Sequence, residues 1–102
     1  PNIKNVHLKS INEISQDLNE LQQRGLKNRL TPEDFSHGTF SISNIGNIGG
    51  TVLNPVIMPP QVCIGALGRI RVLPRFNSNG EITKAHIMNA SFAGDHRIID
   101  GS

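Results

Sequence analysis

Asn77-Ser78-Asn79-Gly80 is the stretch on which the fold turns. Asn-Gly between two apolar runs is the strongest short-range signal for a β-hairpin, because these residues accept the positive φ of a tight return. Upstream the chain is apolar from Val62 through Val72 and Leu73, with Arg69 and Arg71 alternating against Ile70 and Val72. That period of two predicts a strand. Downstream, Glu81 to Ala93 is expected to return as its partner, antiparallel to Val62–Arg75. The ribbon then delivers the chain to Asp95-His96, so the histidine ends a rigid element instead of sitting in a free loop.

Outward from the ribbon, Gly38 releases the chain into Thr39-Phe40-Ser41-Ile42-Ser43, a predicted strand with Phe40 and Ile42 on one face and three hydroxyls on the other. Asn44-Ile45-Gly46-Asn47-Ile48-Gly49-Gly50 follows. It has neither the Gly-Lys-Ser/Thr ending of a P-loop nor a G-x-G-x-x-G spacing, so its glycines are read as backbone that turns sharply or lets a ligand come close. Pro55, Pro59 and Pro60 predict an irregular crossing over Thr51 to Gln61. Nearer the N-terminus, Ser10-Ile11-Asn12-Glu13 has the form of a capping box, and Ile11, Ile14, Leu18 and Leu21 make one apolar stripe of a helix. Gly25 is the expected left-handed cap. Thr31-Pro32-Glu33-Asp34 predicts one further helical turn ending by Ser36, and Pro1 to Lys9 reads as an edge strand or an entering loop.

With 102 residues the chain is one small domain or a piece of a larger one, and it is expected to be cut at both ends. Four Phe, no Trp and no Tyr leave the core to Ile, Val and Leu. A net charge of +2 is too small a surplus to suggest nucleic acid or an anionic membrane as partner. Cys63 stands alone, which excludes a disulfide within the chain. No apolar run reaches membrane-spanning length, and the N-terminus lacks the charged-then-apolar pattern of a signal peptide. His7, His37 and His86 have no acidic or cysteine partners at ligand spacing, so no metal site is expected.

The segment with chemistry in it is Asp95-His96-Arg97-Ile98-Ile99-Asp100-Gly101. Histidine titrates near neutral pH and is the default general base; a carboxylate four residues on can hold it or its loop. The same spacing also occurs in ordinary ion pairs and buried turns. Together with Gly38-Thr39-Phe40-Ser41-Ile42-Ser43-Asn44-Ile45-Gly46, however, the segment resembles the catalytic core of the dihydrolipoamide acyltransferases, the E2 components of 2-oxo acid dehydrogenase complexes. Those enzymes share their fold with chloramphenicol acetyltransferase. The run from Pro55 to Gly68 and Pro74-Arg75-Phe76-Asn77 are most similar to the branched-chain branch of that family, and the resemblance covers essentially the whole chain. Two departures stand out: His37 replaces a second glycine, and Gly94 replaces a side chain before the Asp-His pair.

The resemblance implies an α+β fold with a mixed and antiparallel sheet and packed helices, of which residues 1–102 are the C-terminal part, lipoyl and subunit-binding domains lying upstream. It implies that His96 is the general base, Asp100 the carboxylate that orders the turn, and Ser43 the donor to the oxyanion. Gln22, Ser43, Asn44, Gly68 and Ile70 would touch coenzyme A. The implied reaction moves a branched-chain acyl group between a dihydrolipoyl thioester and coenzyme A, without metal, in a mitochondrial matrix homotrimer within a larger core that also recruits the E1 and E3 components. In this family the histidine comes from one subunit and the serine from the next. Acetyl or succinyl transfer in the pyruvate or 2-oxoglutarate complex and a non-catalytic scaffold subunit are the alternatives. A Ser-His-Asp hydrolase is disfavoured, since no G-x-S-x-G surrounds any serine.

Overall fold

The computed structural model describes residues 1–101. They divide into two compact units, Pro1–Gly38 and the chain from Thr39 onward.

The first unit is built on helix α1, Ile11–Leu26. Its start is the expected capping box: the Glu13 N–H donates to Ser10 Oγ at 3.3 Å, and the Ser10 N–H donates to the Glu13 carboxylate at 2.7 Å. Its end differs from expectation. Gly25 lies inside the helix, and the left-handed position falls to Asn28, with φ 52°. The Asn28 N–H donates to the Gly25 carbonyl and the Arg29 N–H to the Arg24 carbonyl, which is a Schellman motif with asparagine in the place glycine usually takes. Along the predicted stripe Leu21 is buried, but Ile11 is 86% exposed. This unit alone has too few apolar side chains to cover the whole stripe.

A single 3-10 turn at Pro32–Phe35 is tied to α1 by Arg24, whose guanidinium donates to both Asp34 carboxylate oxygens at 2.8 and 2.7 Å. The segment before the helix is a loop with one 3-10 turn at Val6–Leu8. It is anchored by the Asn2 N–H on the Asp34 carbonyl and by Lys4 Nζ on the carbonyls of Glu33 and Ser36. At the end of the unit His37 takes φ 57°, a left-handed conformation that glycine adopts without a Cβ clash.

The second unit holds five strands: β1 Ser41–Asn44, β2 Cys63–Leu67, β3 Arg71–Phe76, β4 Ile82–Ile87 and β5 Ala90–Gly94. β2 is central, parallel to β1 and antiparallel to β5, while β3 and β4 form a separate antiparallel ribbon. The predicted hairpin is therefore present but broken into two segments. Leu67 faces Ala90 and Arg71 faces Ile87, so three residues, Gly68 to Ile70, oppose only Met88 and Asn89. This is a bulge of one residue, and it bends the ribbon out of the sheet. Gly68 sits at the break because a Cβ there would lie 2.7 Å from the Thr51 carbonyl oxygen. At the tip Asn77 closes the loop: its N–H donates to the Glu81 carbonyl, its side-chain oxygen accepts from the N–H groups of Asn79 and Glu81, and Gly80 takes φ 76°. The turn is thus longer than the bare two-residue Asn-Gly signal.

β1 starts two residues later than predicted, and its serines, not its apolar residues, lie on the better-covered face. Ser41 and Ser43 are half-buried beneath the irregular Thr51–Gln61 crossing, whereas Ile42 on the opposite face is 68% exposed. The crossing is pinned at both ends, by the Leu53 N–H on Ser91 Oγ at 3.3 Å and by Ser41 Oγ donating to the Gln61 side-chain oxygen at 2.6 Å. Ile64 and Ala66 of β2 form the buried centre.

Candidate active site

Ser43 occupies the third position of β1, opposite Ala66. Ser43 borders a recess of about 200 Å³ walled mainly by Ile45, Leu53, Pro55, Val56, Ile64 and Ala66, with Asn54 the other polar residue of the lining. The glycines nearby serve close packing of backbone. A Cβ on Gly46 would stand 3.0 Å from the Gly68 carbonyl oxygen, and Gly68 itself is wedged against Gly50 and Thr51. Asn44, next in line, turns its side-chain oxygen back to accept the Gly46 N–H at 3.0 Å.

His96 lies beyond the other end of the sheet. The Asp95 N–H donates to the Val62 carbonyl at 2.8 Å, extending the ladder by one step, and the Asp95 carbonyl then accepts the N–H groups of Ile98 and Ile99 at 2.9 and 2.8 Å. The Asp95 carboxylate accepts the Arg97 N–H at 3.1 Å and two guanidinium donors, Nε at 3.0 Å and Nη2 at 2.7 Å. These bonds hold the Asp95 carboxyl below its ordinary pKa, the Arg97 guanidinium contributing most. His96 itself is exposed. Asp100 accepts the N–H of Gly101 at 3.0 Å, and no bond joins it to His96 among the described residues.

Ser43, Asn44 and Gly68 are thus neighbours at one end of the sheet, with the exposed Ile70 the last residue of the bulge, while His96 and Asp100 share a turn at the other end. Four residue steps along β2 and two strand spacings across separate Ser43 from Asp95, roughly 16 Å between Cα atoms. One chain does not bring its serine to its own histidine. Gln22 is exposed on α1, in the first unit. Reading the sequence missed Asp95, although an aspartate two residues before an arginine N–H is a common turn-former. It also missed the recess, which forms only where the irregular crossing, with Leu53 to Val56, lies over Ser43 of β1 and Ile64 and Ala66 of β2.

The whole chain, residues 1–102, matches the family model described as 2-oxoacid dehydrogenases acyltransferase (catalytic domain). The chain belongs to this family. Among relatives of this acyltransferase domain, the lipoamide acyltransferase component of the mitochondrial branched-chain alpha-keto acid dehydrogenase complex of Bos taurus is 58% identical over 102 residues, all of this chain and 21% of that protein. The component of the same name from Arabidopsis thaliana is 46% identical over the same span, and the acetyltransferase component of the pyruvate dehydrogenase complex of Rickettsia felis is 39% identical. The chain therefore spans about a fifth of the length of these curated relatives. Two solved structures share the fold: a dihydrolipoamide acetyltransferase of Azotobacter vinelandii (TM-score 0.88, 26% identity, 97% of this chain and 40% of that one) and a probable one of Listeria monocytogenes (0.91, 30%, 97% and 42%). The α+β architecture with a mixed sheet is the one expected from the sequence.

Among the described residues no group of three His, Cys, Asp or Glu could hold a metal ion, and no helix is long and apolar enough to cross a membrane.

Proposed function

We propose that residues 1–102 are part of the catalytic domain of a branched-chain dihydrolipoamide acyltransferase, which moves an acyl group between a dihydrolipoyl thioester and coenzyme A. His96 removes the proton of the acceptor thiol, and the thiolate attacks the thioester carbonyl. The hydroxyl of Ser43, contributed by a neighbouring subunit, donates to the tetrahedral oxygen, an interaction worth on the order of 3 kcal/mol. Collapse breaks the old C–S bond, and the imidazolium returns its proton to the departing sulfur. The mainly aliphatic walls of the recess beside Ser43 suit a branched acyl chain. Asn44, Gly68 and Ile70 at that end, with Gln22, are the residues assigned to coenzyme A.

The observation that carries this reading is the placement of the serine near the end of strand β1 and of the histidine in the turn after β5, at opposite ends of one sheet. The Azotobacter vinelandii enzyme was solved in an investigation of a serine, a histidine and an asparagine in its catalytic mechanism. There the histidine and asparagine are four positions apart, as are His96 and Asp100, and the serine-to-histidine separation is within one position of that between Ser43 and His96. Relatives from cow and mouse are named mitochondrial, which supports the matrix as its location. A neighbour solved as the cubic core of the pyruvate dehydrogenase complex supports a trimer-based core, with E1 and E3 recruited by upstream domains that also carry the lipoyl group. Acetyl transfer is the second reading, favoured by the acetyltransferase relatives at 39% identity.

The test is isobutyryl transfer from isobutyryl-CoA to dihydrolipoamide by the full-length protein and its His96→Ala variant. The variant is expected to lose a factor of roughly 10² or more, as for a general base. Equal activity of the two proteins refutes the mechanism, and faster transfer of acetyl than of isobutyryl establishes the second reading.

A further inference from the structure

We propose that Asp95 is the positioning residue of the site, fixing the backbone of the base through its side-chain turn, a part that neither the His96 nor the Asp100 assignment supplies. The inference rests on the acyl-transfer reading above. Every polar group of Asp95 is engaged. Its N–H donates to the Val62 carbonyl just before β2, its carbonyl accepts from Ile98 and Ile99, and its carboxylate accepts the N–H of Arg97. His96 is consequently held on both sides, by the residue before it and by the N–H of the residue after it. Asp100, in contrast, bonds only the adjacent Gly101 N–H among the described residues.

The two partners of the Asp95 carboxylate differ in weight. The Arg97 side chain is 88% exposed while that of Asp95 is 19% exposed, so the ion pair is screened by water and the short backbone bond sets the geometry. An asparagine in place of Asp95 keeps a side-chain oxygen for the Arg97 N–H; an alanine does not. The distinction matters because the base must meet a thiol held partly by another subunit, and a misplacement of about 1 Å can cost as much as 10²-fold in rate.

The experiment measures kcat and KM for isobutyryl transfer in the assembled full-length protein, with assembly checked by light scattering. Asp95→Ala is expected to lower kcat about tenfold or more with KM for both substrates within about threefold, whereas Asp95→Asn and Arg97→Met stay within about threefold of wild type. The double variant Asp95→Ala/His96→Ala is expected to match His96→Ala within about twofold, since residues acting as a unit are not additive. Should Asp95→Ala fail to assemble, Asp95→Gln, whose amide lies a methylene too far out for the turn, carries the same expectation. Wild-type kcat in Asp95→Ala, equal damage in Asp95→Asn, or a further loss in the double variant each overturns the positioning role. An unimpaired His96→Ala overturns the acyl-transfer reading and the positioning role with it. An inactive His96→Ala beside a fully active Asp95→Ala overturns the positioning role alone.

Discussion

At the level of single residues, Asp100 is where chemistry and geometry part. Its oxygen accepts the Gly101 N–H and leaves the shaping of the turn to Asp95. A group that works by accepting a hydrogen bond does not need a negative charge, and an asparagine stands four positions after the histidine in the Azotobacter vinelandii enzyme. Asp100→Asn is therefore expected to keep acyl transfer within about tenfold of wild type, while Asp100→Leu, with no acceptor, falls by roughly 10². Steady-state rates of the two assembled variants decide it: equal, large losses would mean that the charge itself is needed. His96 stands out in the sequence because its residue type and the carboxylate four residues on suggest a base, whereas Ser43 is singled out only by the family resemblance. Asp95 does not stand out, since its part depends on which N–H groups the turn aims at its carboxylate, and a string of letters carries no such direction.

Whole elements were read with uneven success, and the reasons are physical. The start of α1 was legible because a capping box is local, with Ser10 and Glu13 satisfying each other's N–H groups. Its end was not, because Gly25 and Asn28 both tolerate a left-handed turn and packing chose between them. The long ribbon was legible as antiparallel pairing, but its bulge at Gly68 depends on a carbonyl from the distant Thr51. The join between α1 and the Pro32–Phe35 turn leads to a pH prediction. Arg24, then the Thr31 N–H, hold the Asp34 carboxyl well below its ordinary value near 3.8. A carboxylate depressed in the folded state contributes stability above its unfolded pKa, and that contribution fades as pH falls from about 4 toward the lower folded value. Thermal unfolding followed from pH 7 to pH 2 should show a loss below pH ~4 that is reduced in Asp34→Asn, a variant already less stable at pH 7. Parallel curves for the two proteins would show that Asp34 is not what the acid titrates.

The whole molecule sets the last constraint, because the sheet that carries both groups also keeps them apart. β1 runs with β2 and β5 against it, so Ser43 and the turn bearing His96 emerge at opposite ends of the sheet, with roughly 16 Å between the Cα atoms of Ser43 and Asp95. No side-chain rotation closes that gap, and the strands between are hydrogen-bonded in register. On the acyl-transfer reading proposed above, a working site takes its histidine from one copy and its serine from another, a head-to-tail arrangement that closes into a ring. This geometry makes two inactive proteins complementary. Ser43→Ala subunits still carry His96, and His96→Ala subunits still carry Ser43. When they are co-expressed in equal amounts and assemble at random, each site has about one chance in four of receiving both intact groups, so about a quarter of the wild-type activity should return. Either variant assembled alone should stay near its own low level, and mixing after assembly should restore little unless subunits exchange. Activity of the co-expressed mixture no greater than the mean of the two variants would place serine and histidine in the same subunit, which the sheet does not allow without unpairing β2 from one of its neighbours.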